Sequence, residues 1–321
     1  MIRFSTNLIM TCYTKHIILY LIAAVMLLAP SCGKVHEADT AVKVSFSVAL
    51  PQQIATRAIS DGRGAVDLHF RVYKVTADGV EHLPGLDQDI PDAFVNLRAG
   101  ITTSLVKGYT YDFVFWAQNP DAGTAYDLST LDGNTPYVSV DYSAMANSDD
   151  SYDAFYVTET GYKVSEGASL SVVLKRPFAQ VNFGSSSDDW LDAVTAGVTI
   201  DRTAMKYKGA YTRLYPITGE VSDPVDVTFG MTSMPSEALL VEDAAYTWLS
   251  MDYILVPAGK SLTDVSLELY SGGYYVNTLS VPNVPVQRNY RTNILGRLIT
   301  TETRIEIVID PVFVDDYNVM Y

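Results

Sequence analysis

Two cysteines, Cys12 and Cys32, are all that 321 residues carry, and histidine occurs only four times. So little sulfur excludes a disulfide framework and a thiolate zinc centre. Of the histidines, His36, His69 and His82 lie beyond the leader described below, and none stands at ligand spacing from another. Basic residues are also scarce, 22 against 37 acids, for a formal net charge of −15. Phosphate contact needs a basic face, so no nucleic-acid partner is expected. A Gly-x-Ser-x-Gly elbow and a glycine-rich phosphate loop before a helix are both missing. The densest acids, Asp149-Asp150 with Asp153 and Asp315-Asp316, lack the glycine and terminal glutamate of an EF-hand loop and read as solvated surface. The expectation is therefore a chain with no catalytic residues, no metal and no cofactor.

What is present begins with a twelve-residue apolar stretch, 17–28, preceded by Arg3 and Lys15 and followed by Ala29-Pro30-Ser31-Cys32. It is too short to hold a bilayer span and has the layout of a secretory signal. An exported chain with one remaining thiol has nothing to pair it with. Cys32 is therefore read as the lipidated (palmitate-bearing) first residue after a lipoprotein signal peptide, 1–31. An ordinary signal with an incidental cysteine is the alternative. Cleavage would remove Arg3 and Lys15 and no acid, taking the charge to −17. Residues 32–40 lack periodicity and read as a tether to the membrane.

Long helical patterns are also missing: only 188–196 argues for a helix, with Trp190, Leu191 and Val194 expected on one face. Strand patterns fill the rest. Val42, Val44, Phe46, Val48 and Leu50 alternate with small and polar residues, the cleanest period of two in the chain. Residues 52–64 then read as an exposed stretch around Arg57. Val66, Leu68, Phe70 and Val72 alternate again, and Asp78-Gly79 closes a hairpin. Residues 109–117 are apolar on both faces, whereas 119–151 are polar enough to read as surface loops around one or two short strands. Later strands follow at short spacing to Ile305, Ile307 and Ile309, with Ser271-Gly272-Gly273 as a hairpin turn. Short strands without alternating helices indicate an all-β fold of antiparallel sandwiches, and the length suffices for two cores. Trp116, Trp190, Trp248, Tyr274 and Tyr275 could stack on sugar rings, but most read as core or strand cover.

Several segments together resemble one family. They are Leu174-Lys175-Arg176-Pro177-Phe178-Ala179-Gln180-Val181-Asn182, the Pro216-x-Thr218-Gly219-Glu220-Val221 turn, residues 249–257, and Val284-Pro285-Val286-Gln287-Arg288-Asn289-Tyr290-Arg291-Thr292-Asn293. With the order of elements from 42 to 311, they resemble the fimbrillin-like fimbrial subunit lipoproteins of Bacteroidota. The resemblance implies two tandem transthyretin-like β-sandwich domains, 41–174 and 175–321, the second with a tail. It also implies an outer-membrane lipid anchor, other fimbrial subunits as partners, and host or bacterial surface ligands. Assembly in such proteins is by protease-triggered strand exchange. On this sequence the implied parts are Arg57 as the cleavage site, Val42, Val44, Phe46, Val48 and Leu50 as the exchangeable first strand, and Val312, Phe313 and Val314 as the donor tail. Exchange requires that the first strand be detachable without collapse of the fold, as an edge strand would be. A surface glycan-binding lipoprotein without catalysis is the competing reading.

Overall fold

The computed structural model describes residues 40–51, 64–300 and 304–310; Cys32, Arg57, Val312, Phe313 and Val314 lie outside them. Strand β1 (Ala41–Ala49) has the expected alternation, burying Val44, Phe46 and Val48 and turning Lys43 and Ser47 to solvent. After it come β2 (Asp67–Thr76), β3 (Gly79–His82), β4 (Gln88–Ile90), β5 (Arg98–Val106) and β6 (Thr110–Gln118). Gly79 closes the β2–β3 hairpin at φ 126°, a conformation that costs glycine no Cβ clash. Strand β6 is buried on both faces, as its unbroken apolar run requires.

Residues 119–151 carry the short strands expected among surface loops, and more of the segment is buried than a surface reading implies. They hold β7 (Tyr126–Asp132) and β8 (Thr135–Val140), with Tyr126, Leu128, Val138, Val140 and Tyr142 buried. The chain continues through β9 (Ala154–Lys163), β10 (Ala168–Val173) and β11 (Phe178–Ser185) to helix α1 (Ser187–Thr195). Here a detail is corrected. The helix buries Asp189 and Ala193, while Leu191 is 64% exposed and Val194 41%. Hydrogen bonds to Asp189, described below, set its rotation.

The remaining strands are β12 (Arg202–Tyr215), β13 (Glu220–Ser233), β14 (Ala238–Val241), β15 (Ala244–Leu255), β16 (Ser261–Ser271), β17 (Tyr274–Val286), β18 (Arg291–Arg297) and β19 (Arg304–Asp310). Four sheets result. One core lies between β10-β1-β5 and β3-β2-β6-β9, with β4 beside β2. The other lies between β14-β15-β11-β18-β19 and β17-β16-β12-β8-β7, with β13 beside β12. The sheets do not part cleanly at Leu174, because β8 pairs with β12 at Arg213 and Leu214 and brings its hairpin into the second core.

The two cores share a plan. Strand β1 has β10 as a parallel and β5 as an antiparallel neighbour; β11 likewise has β18 parallel and β15 antiparallel. Facing them, β3-β2-β6-β9 corresponds to β13-β12-β16-β17. The fold is thus all-β and sandwich-like, with two parallel pairings where sequence reasoning expected antiparallel ones throughout. Among the described residues β19 has no counterpart in the first half. It caps the edge of β18, packs Val308 against the core, and leaves Ile305 and Ile307 about two-fifths exposed.

Candidate functional site

The strand singled out by sequence is central. Every residue of β1 from Ala41 (opposite Val106) to Ala49 (opposite Arg98) pairs with β5, and Val44 to Ala49 pair with β10 on the other side. The edge expectation is therefore corrected. Sequence reasoning could not see this, because the partners lie some 60 and 120 residues away and alternation does not report which edges are occupied.

Its inward face is fully used. Val44 and Val48 have no exposure, and Phe46 and Leu50 have 2% each. The Phe46 ring sits edge-on to Phe113 and Phe115, at centroid distances of 4.9 and 5.1 Å, and lies 5.6 Å from Phe70. Val42 packs at the margin of the same cluster. Outward, the Ser45 and Thr102 hydroxyls meet at 3.0 Å. Beyond the strand, the Leu50 amide donates to the Leu97 carbonyl and the Leu174 amide to that of Ala49. Burying four such side chains is worth roughly 6–12 kcal/mol, comparable with the whole stability of a typical domain at about 5–15 kcal/mol. The strand cannot simply leave; something must take its place.

Immediately after β10 the chain passes into a buried ionic linker. Arg176, 1% exposed, donates from Nε to both Asp153 oxygens at 2.7 and 3.0 Å and from Nη2 to Oδ2 at 2.7 Å. Its guanidinium lies 4.5 Å over the Phe155 ring. Burial pushes the Asp153 carboxyl up to about 6 even though Arg176 opposes the shift. Asp153 thus belongs to the interior, against the solvated-surface reading of its cluster. Its neighbours are also engaged: Asp149 accepts the Ser151 amide and Asp150 the Tyr253 hydroxyl. No local signal marks this burial, since it is set by an arginine on another strand connection.

The segments quoted for the family resemblance come together here. The Arg176 amide donates to Asn289 Oδ1 at 3.2 Å, and the Asn289 amide to the Phe178 carbonyl at 2.8 Å. Asn289 adopts φ 65°, which asparagine tolerates better than most residues. Asn182 donates to Asn293 Oδ1 at 2.7 Å between the parallel strands β11 and β18. Of the aromatic candidates, Trp116 and Trp248 are core residues, whereas Tyr274 and Tyr275 are 80% and 59% exposed. Among the described residues no group of three or more His, Cys, Asp or Glu is arranged to hold a metal ion.

Fold and site define a two-core β-sandwich protein whose first strand completes a sheet from within. The chain belongs to a family of unknown function, DUF6562, whose profile matches residues 36–320. Among solved structures it is similar to the tip fimbrial protein Mfa3 of Porphyromonas gingivalis, with 12% identity, a TM-score of 0.49, and coverage of 84% of this chain and 99% of that one. It is also similar to a fimbrial assembly protein of Parabacteroides distasonis, at 16% identity, TM-score 0.45, and coverage of 84% and 95% respectively. No curated protein matches it.

Proposed function

We propose that the chain is a structural or adhesive subunit of a fimbria, or a surface lipoprotein attached to one, joined to its neighbours by exchange of β1. The observation that carries this reading is the alternating apolar face of β1, whose four buried side chains define pockets that a donor could refill; its pairing on both sides counts against simple removal, so a donor must take over its place. A strand bonded to β5 and β10, with four apolar side chains in pockets, defines a slot with two unpaired edges and a complementary floor once it is gone. A donor strand with alternate apolar residues, running in the direction of β1, would restore both sets of backbone bonds and refill the pockets. Because an empty slot would forfeit most of the stability of that core, exchange is concerted, with the donor entering as β1 leaves.

The trigger in this reading is hydrolysis of the Arg57–Ala58 peptide bond, water supplying a hydroxyl to the Arg57 carbonyl and a proton to the Ala58 amine. The same cut separates the subunit from Cys32 and its lipid. Val312, Phe313 and Val314, which follow edge strand β19 in the sequence after Pro311, supply the donor. Partners are other fimbrial subunits and the outer membrane. Amino-terminal sequencing of the protein taken from the cell surface tests the processing step. A chain beginning at Ala58 is expected, and one still beginning at a lipidated Cys32 would remove it. A secretory chain carrying Cys32→Ala is expected to be missing from the membrane fraction that holds the uncut wild-type precursor, because it never acquires the lipid.

A further inference from the structure

Beside the ionic linker a cleft of about 550 Å³ opens between β9, Lys175, the 216–219 turn and residues 288–290. That volume falls in the range of small-molecule sites. Its walls are built. The Tyr156 amide donates to the Lys175 carbonyl and the Lys175 amide to that of Tyr156, at 2.8 and 2.9 Å, while the Thr158 hydroxyl donates to Pro216. None of the residues lining it is an acid, although acids outnumber bases across the chain.

Arg288 distinguishes this place. Arg71, Arg176, Arg213 and Arg297 are each matched to carboxylates. Arg288 is instead pinned by neutral oxygens: Nε and Nη2 donate to the Val256 carbonyl at 3.3 and 3.1 Å, and Nη1 donates to the Tyr156 hydroxyl at 2.9 Å. Three of the five N–H groups of a guanidinium are thus committed, fixing its plane, while its charge has no anionic partner among the described residues. A held guanidinium recognises a planar carboxylate better than a flexible ammonium does, because both N–H vectors are already aimed. Lys175, exposed at the rim, adds a second positive charge. Tyr156 and Tyr290 offer ring faces for sugar C–H groups, and Thr158 and Thr218 offer hydroxyl partners.

We propose that this cleft binds a carboxylated sugar, a hexuronic acid unit of a surface or host polysaccharide, with Arg288 on the carboxylate. The inference is independent of strand exchange, since no residue of β1 lines the cleft.

The experiment is a titration of the full mature chain, in detergent where its lipid requires it, with D-glucuronic acid and a tetragalacturonate. D-glucose, acetate and inorganic phosphate serve as controls, all read by calorimetry or ligand-observed NMR. The uronates are expected to bind at least tenfold more tightly than each control. Arg288→Met is expected to lose that binding. Because Arg288 also ties Val256 to Tyr156, the exposed Lys175→Glu variant is tested in parallel, with circular dichroism confirming both folds, and is expected to weaken uronate binding severalfold. Equal binding of glucose would overturn the proposal, as would phosphate or acetate binding as tightly as uronate. Unchanged uronate affinity in folded Lys175→Glu and Arg288→Met would overturn it as well.

Discussion

Arg176 and Asp153 form a bidentate ion pair with almost no access to water, the shortest N–O distances being 2.7 Å. It ties the start of β9 to the connection between β10 and β11, where the first core hands over to the second. Taking two charges out of water is costly, so the pair fixes geometry more than it adds stability. Losing one partner strands the other: Arg176→Met or Asp153→Asn is expected to destabilise by about 3–5 kcal/mol. The double change Asp153→Leu with Arg176→Met is expected to recover most of that loss. Denaturant unfolding of the three variants checks it.

The inner and outer faces of β1 should respond differently. Phe46→Ala opens a cavity among Phe70, Phe113 and Phe115 and is expected to cost about 3–5 kcal/mol. Ser47→Thr, on the solvent face of the same strand, is expected to stay within about 0.5 kcal/mol. Equilibrium unfolding in urea distinguishes them, and equal effects would contradict the assigned register.

Asp252 gives the molecule a pH dependence. Its carboxylate accepts the Tyr207 hydroxyl at 2.9 Å and the Ser148 amide at 3.3 Å, and burial pushes it up to about 7 from an ordinary 3.8. An unfolded chain releases this proton near pH 4, whereas the folded one holds it to near pH 7. Stability therefore falls as pH rises across that window, by about 4 kcal/mol in the limit, and is level above it. Asp252→Asn is expected to flatten the slope between pH 4 and 7 in thermal unfolding curves.

How much of this was legible in sequence depends on the range of the cause. Alternation placed β1 to within one residue, and Ser271-Gly272-Gly273 placed the β16–β17 turn, because both signals are local. The centrality of β1 was not legible, since it depends on Ala99 and Val172 arriving opposite Val48 from distant parts of the chain. Asp153 and Asp189 look like surface acids until Arg176 and residues 298–300 fold onto them. Arg288 stood within a segment matched to a family, yet only its neutral partners show that its charge faces an open cleft.

Asp189 anchors the approach to β19. Its carboxylate accepts the amides of Leu298, Ile299 and Thr300 at 2.7, 2.8 and 3.1 Å, and the hydroxyls of Thr300 and Ser185 at 2.7 and 2.9 Å. Burial alone would raise its pKa, but these donors outweigh it and hold it below the usual carboxylate range. This contribution is present above the ordinary carboxylate pKa and is lost as pH falls through the lower folded value. Asp189→Ala orphans several donors and is expected to cost about 2–4 kcal/mol. Hydrogen exchange should show β19 losing protection before β11.

The most direct test of strand exchange mixes the intact protein with an Arg-specific protease, with and without an excess of a synthetic peptide spanning residues 41–51. The account predicts that cleavage at Arg57 yields linear multimers from which the fragment carrying β1 has been lost, and that the peptide suppresses them by occupying the slot. Cleaved protein that stays monomeric with β1 still bound, or that unfolds and aggregates whether or not the peptide is present, would contradict it.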